Sequence, residues 1–128
     1  MTVSSFVLPF PPSSNGLWFN TKNGRARSAS YDQWRQEAGW ELKRQHPSKL
    51  KGPVSLNYVF ENAKDNRKRD LGNLEKALSD LLVEHQIIEA DDHTIVRRIS
   101  LAWGAVDGVC VTVVSHCVQE MTGMLEEA

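Results

Sequence analysis

Only two cysteines occur in the 128 residues, Cys110 and Cys117, and they lack the CxxC spacing of a zinc or redox pair. Both fall in one expected strand, where seven steps of about 3.3 Å would hold them roughly 23 Å apart, too far to bridge. A reduced, cytoplasmic setting is therefore expected. No apolar run approaches the roughly 20 residues of a membrane span. The opening MTVSSFVLPFPPSSN lacks a basic leader, and its prolines interrupt any apolar signal core, so no secretion signal is read. Internal repeats, low-complexity tracts and a second domain are also missing. The length and a 41% hydrophobic, 24% charged composition fit one globular domain over residues 1–128, with a core that needs no metal or disulfide staple.

A surplus of charge is lacking as well, since the formal net charge is −1. The distribution is uneven, however. Lys22, Arg25, Arg27, Arg35, Lys43, Arg44, Lys49 and Lys51 face only Asp32, Glu37 and Glu41, and a second basic cluster holds Lys64, Arg67, Lys68 and Arg69. Beyond Arg98 every charged side chain is acidic. A near-neutral total thus conceals one basic face and one acidic end. For any single cation, an ordinary solvated surface is the simpler reading; like charges crowded into KDNRKRD fit it less well.

Hydrophobic periodicity sets the elements. VSSFVLP reads as a strand stopped by Pro9, Pro11 and Pro12. A long Ser-, Asn- and Gly-rich loop follows, of the kind that is functional or disordered. Ser28 or Ser30 would cap a helix running to about His46, ended by Pro47. Val54, Leu56, Tyr58 and Phe60 alternate with more polar neighbours, as in a strand. Leu71, Leu74, Leu78, Leu81, Leu82 and His85 follow helical spacing, with Asp70 as a natural N-cap. After a turn at 89–92, TIVRRISLAWG and GVCVTVVSHC read as two strands joined by a turn at 104–108. VQEMTGMLEEA is a tail or short helix. The expected fold class is α/β (α+β), a small mixed sheet with two main helices.

Asp70 at the helix start and Asp91 with Asp92 beyond its end can converge only if the next strand lies beside the N-terminal half of that helix. Gathered carboxylates would suit Mg²⁺ or Mn²⁺, and such an ion can activate water against a phosphodiester. Spacing alone favours the plainer alternative, a cap and a turn.

The order LPFPPSSN, RDLGNLEKALSDLL and IIEADDHTI resembles the RusA family of Holliday-junction resolvases, from about Phe6 to Trp103. The resemblance implies a RusA-like fold and Mg²⁺-dependent endonuclease activity on four-way junctions in DNA recombination and repair. It also implies a homodimer, and relatives that occur commonly in phages and prophages. By the family pattern, Asp70, Asp91 and Asp92 are the implied metal ligands and, with Lys76, the catalytic set; Asn73 and Asp80 match further signature positions. Gly72 departs from it, standing where a second signature aspartate is expected. Three readings of that departure are open: water replaces the missing ligand, Glu75 or Glu89 substitutes, or the protein binds junctions and cuts them poorly or not at all. Asn15, Lys22, Arg25, Arg27, Arg67, Lys68, Arg69 and Asn73 are the candidate DNA contacts. Trp18 and Phe19 could stack on or wedge between bases, or pack in a core or dimer. His93 is more simply structural than a ligand.

Overall fold

A computed structural model describes residues 2–62, 64 and 67–116. Its main sheet has four strands: β1 (Val3–Leu8), β4 (Val54–Glu61), β5 (Val96–Gly104) and β6 (Val109–Ser115), in the order β1-β6-β4-β5. β6 pairs antiparallel with both β1 and β4, whereas β5 runs parallel to β4. A parallel neighbour requires a crossover, and helix α2 (Glu75–Glu84) supplies it. Helix α1 (Ala29–Gln45) completes the expected pair of helices, so the mixed-sheet α+β class holds.

Alternation gives the sheet one apolar face. Phe6 and Leu8 of β1, Val54, Leu56, Tyr58 and Phe60 of β4, and Val109, Val111 and Val113 of β6 are all buried. The helices cover that face with Tyr31, Trp34, Ala38 and Leu42 from α1 and Ala77, Leu78, Leu81 and Leu82 from α2. One polar pair is sealed between α2 and the sheet, Tyr58 Oη to Ser79 Oγ at 3.0 Å. Burial pushes the Tyr58 phenol well above its ordinary pKa, so it stays neutral and able to hydrogen-bond Ser79.

Ser28 caps α1, accepting from the Tyr31 amide at 3.2 Å, and His46 closes it in the left-handed conformation just before Pro47. Gln45 clamps the helix to β1, donating to the Val7 carbonyl at 2.7 Å and accepting from the Val7 amide at 2.9 Å.

Two expectations need correction. The Ser-, Asn- and Gly-rich stretch is not simply a loop: β2 (Trp18–Thr21) and β3 (Gly24–Arg27) form an antiparallel ribbon apart from the main sheet. And α2 does not start at Asp70. Residues Leu71–Asn73 form a single 3₁₀ turn whose N-cap is Asp70, with no side-chain capping bond, and α2 begins only at Glu75. Gly72 and Asn73 are weak helix formers, and the tighter turn is closed by Asn73 N–H donating to the Asp70 carbonyl at 3.1 Å. β6 ends at Ser115, so Cys117 and the VQEMTGMLEEA segment lie outside the described residues.

Candidate nuclease site

The site is positioned by the reversal that follows α2. Ten helical residues span about 15 Å, which by itself would carry the acid pair away from the helix start. Gln86 takes a positive φ of 61° and turns the chain back. Ile87 and Ile88 then bury themselves, and the Ile87 carbonyl accepts from the Leu50 amide at 2.9 Å. This return leaves Asp91 beside the first turn of α2, in reach of Lys76.

Lys76 Nζ lies 3.0 Å from Asp80 Oδ1 and 3.5 Å from Asp91 Oδ2, so one ammonium joins the helix to the turn before β5. Its pKa is raised, first by the hydrogen bond to Asp80, against the opposing effect of burial. Lys76 is largely exposed, and each pair alone is worth little. The value of the arrangement is positional.

The adjacent aspartates have divided roles. Asp91 faces Lys76. Asp92 is turned into the start of β5, where its Oδ1 accepts from the Thr94 amide at 2.9 Å and from the Thr94 hydroxyl, and its carbonyl accepts from the Val96 amide at 2.9 Å. Those Thr94 hydrogen bonds hold the Asp92 pKa below the ordinary carboxylate value. Asp70 stands at the 3₁₀ turn. Among the described residues, no three of His, Cys, Asp and Glu are gathered so as to hold a metal ion, and Asp70, Asp91 and Asp92 do not form one such group. The carboxylates have the oxygen chemistry of Mg²⁺ ligands, but the arrangement as it stands is not a ligand cage. Around Gly72, an added Cβ would meet nothing within 4 Å, so a side chain at this position would enter open space. Glu89 is engaged elsewhere, accepting from the Gly52 amide.

Asn73 meets the proline-rich segment, its Oδ1 accepting from Ser14 Oγ at 3.4 Å. Two stretches separated by 59 residues are thereby joined. Asn15 is exposed in the short turn after those prolines, where its amide donates to Ser13 Oγ.

The cationic candidates form two surfaces. On the ribbon, Lys22 is exposed at the turn, Arg25 lies over the Trp18 ring at 4.6 Å, and Arg27 Nε is 2.9 Å from Asp32 Oδ1. Trp18, Arg27, Tyr31, Arg35, Asp80, Val83, Glu84 and Asp91 line a cleft of about 390 Å³. The ribbon is therefore one wall and the acids are the other. Arg67, Lys68 and Arg69 instead border a groove of about 580 Å³ with Phe10, Pro11, Pro12 and Trp34. There the Arg69 guanidinium and the Lys64 ammonium lie 5.1 and 5.4 Å from the Phe10 ring centroid. Phe10 was not singled out in the sequence, and Arg35 was noted there only as one of the first basic cluster. The aromatic inside the PFPP run was the available signal for Phe10; Arg35, ion-paired to Glu84 across the helices, left no local one. His93 is exposed, and its carbonyl accepts from Arg97 at 2.8 Å.

No helix among the described residues is long and apolar enough to cross a membrane. No curated protein matches the chain significantly. The family model of endodeoxyribonuclease RusA matches residues 9–114, which takes in the proline-rich segment, the ribbon, the Asp70–Lys76 signature and the acid pair. The chain belongs to the RusA family of endodeoxyribonucleases, which act on Holliday-junction DNA.

Proposed function

We propose that this chain is a Mg²⁺-dependent endodeoxyribonuclease that resolves four-way DNA junctions as a homodimer in the cytoplasm. The observation that carries the reading is the Lys76–Asp91 contact, which joins two parts of the family signature 15 residues apart within reach of one basic wall. In this reading Lys76 exchanges a carboxylate for the scissile phosphate and offsets charge developing there. Arg25, Arg27 and Lys22 hold the neighbouring backbone, with Arg67, Lys68, Arg69, Asn15 and Asn73 extending the contact along the second groove and the 3₁₀ turn. Mg²⁺, or Mn²⁺ in its place, would supply an activated water; Asp70, Asp91 and Asp92 are the proposed ligands on the strength of their oxygen chemistry and motif positions. A junction has approximate two-fold symmetry and resolution needs paired cuts, which a two-fold dimer matches by presenting one site twice.

A second reading has its own support. The open space at Gly72 and the ungathered acids fit a junction-binding relative that cuts poorly or not at all. Incubating a synthetic four-way junction with the protein, with and without Mg²⁺, separates the two. Paired nicks that require the ion support the nuclease; tight binding without nicks supports the binder. Sedimentation of free and junction-bound protein tests the dimer, and monomer throughout would sink it.

A further inference from the structure

The ribbon has two unlike faces. Its register pairs Trp18 with Arg27, Phe19 with Ala26, and Asn20 with Arg25. Side chains alternate along a strand, so Trp18, Asn20, Arg25 and Arg27 share the face turned to the acid cleft, while Phe19 and Ala26 share the other. Phe19 is 52% exposed, and unlike Trp18, which packs edge-on against Tyr31 at 5.9 Å, it has no aromatic partner among the described residues. The ribbon holding it is hydrogen-bonded at its base and at its tip. Ser28 N–H donates to the Leu17 carbonyl at 2.9 Å to close the base, and Leu17 is buried. At the tip, the Thr21 hydroxyl donates to the Gly24 carbonyl at 2.9 Å and accepts from the Asn23 amide at 3.3 Å.

An outward-facing ring on a hydrogen-bonded ribbon has few rotatable bonds to immobilise when it is covered. Charge points to what the ribbon as a whole meets: between Trp18 and Arg27 the chain carries Lys22 at the tip, Arg25 and Arg27 on the cleft face, and no acid. A polyanion fits that ribbon, and an apolar face beside it fits the flat surface of a base. In intact duplex the base faces are stacked away; at a branch point whose arms unstack, they become accessible. We propose that Phe19 is the residue that selects branched DNA. It stacks on the base exposed where one arm leaves the branch, while Trp18, Arg25 and Arg27 on the opposite face of the ribbon hold the backbone of the neighbouring arm over the acid cleft. The inference rests on the nuclease reading for the cleft but makes a separate demand, since selection here belongs to a ring outside it.

The test compares wild type with Phe19→Ala, Phe19→Leu and Phe19→Trp. Binding is measured on a four-way junction carrying 2-aminopurine at the branch, on linear duplex of the same sequence, and on duplex with one bulged 2-aminopurine. Alanine and leucine should each weaken junction binding about tenfold, leave duplex binding unchanged and abolish the wild-type change in 2-aminopurine fluorescence. Tryptophan should restore all three. An unchanged junction-to-duplex ratio overturns the proposal. So does leucine behaving as wild type, or alanine converting a dimer to monomer in sedimentation, since either makes the Phe19 face a protein contact. If wild type binds without cutting, the nuclease reading fails while the stacking is still judged by these ratios. If wild type shows no preference for branched or bulged DNA, the wedge itself is overturned.

Discussion

In one cleft of this chain Asp80, Glu84 and Asp91 stand across from Trp18 and Arg27 of the ribbon, and the two walls are fixed by different means. The acid wall is Asp80 and Glu84 of α2 with Asp91 from the turn before β5; α2 has Leu78, Leu81 and Leu82 almost fully buried and its Ser79 bonded to the buried Tyr58. The basic wall is a ribbon whose strand residues are nearly all exposed, tied down at its base and through Trp18 and Arg27. Asp80 and Glu84 sit on a helix packed into the core, and Lys76 ties Asp91 to the same helix, which suits groups that act on one bond. Cations on a ribbon apart from the main sheet suit contacts to a backbone that repeats along the DNA. Chemistry and affinity should therefore be separable by mutation.

The largest effect is expected at the lysine between the acids. Lys76→Ala should lower the cleavage rate about a hundredfold or more while junction affinity changes little; a rate within a few-fold of wild type would remove Lys76 from the chemistry. On the opposite wall, Arg25→Ala with Arg27→Ala should reduce the slope of log K against log salt by about two, one for each phosphate no longer neutralised. An unchanged slope would place the binding face at the Arg67–Lys68–Arg69 groove instead.

The foundation of the acid wall can be weakened without touching an acid. Ser79→Ala leaves the Tyr58 hydroxyl buried and unpaired, at a cost of about 1–3 kcal/mol, whereas a stability loss should be absent for substitutions at exposed Lys22. Denaturant melts of both variants check the contrast.

Gly72→Asp is expected to have the smallest effect on the fold, because the added side chain enters open space and Gly72 has no positive φ that only glycine tolerates. If a water serves in place of the missing carboxylate, the variant should reach full cleavage at lower Mg²⁺. In a non-cutting binder it should create activity. Superimposable Mg²⁺ titrations would show that position 72 does not touch the ion.

What could be read from the sequence follows the same division. Helix α2, β4 and β6 have their apolar residues at the spacing of the face they bury, so their existence and orientation were legible. The start of α2 was not, because leucine periodicity continues through Leu71 although Gly72 and Asn73 favour a 3₁₀ turn. The ribbon was missed because it buries almost nothing and leaves no alternation to detect; the Asn23-Gly24 pair between two short runs was its signal. At the site, the motif named Lys76 and Asp91, yet their meeting depends on the left-handed turn at Gln86, which no spacing announces. The partnership of Asp92 with Thr94 was likewise invisible in a string where two aspartates look equivalent.

The separation of the walls is tested most directly by single-turnover cleavage and equilibrium binding of a four-way junction, measured together for Asp91→Asn and for the Arg25→Ala, Arg27→Ala pair. Asp91→Asn should bind as wild type and fail to cut even when every junction is occupied. The arginine variant should bind weakly and, once saturated with enzyme, cut within a few-fold of the wild-type rate. Loss of binding and of cutting in equal proportion in both variants would contradict the account, because the two walls would then be acting as one.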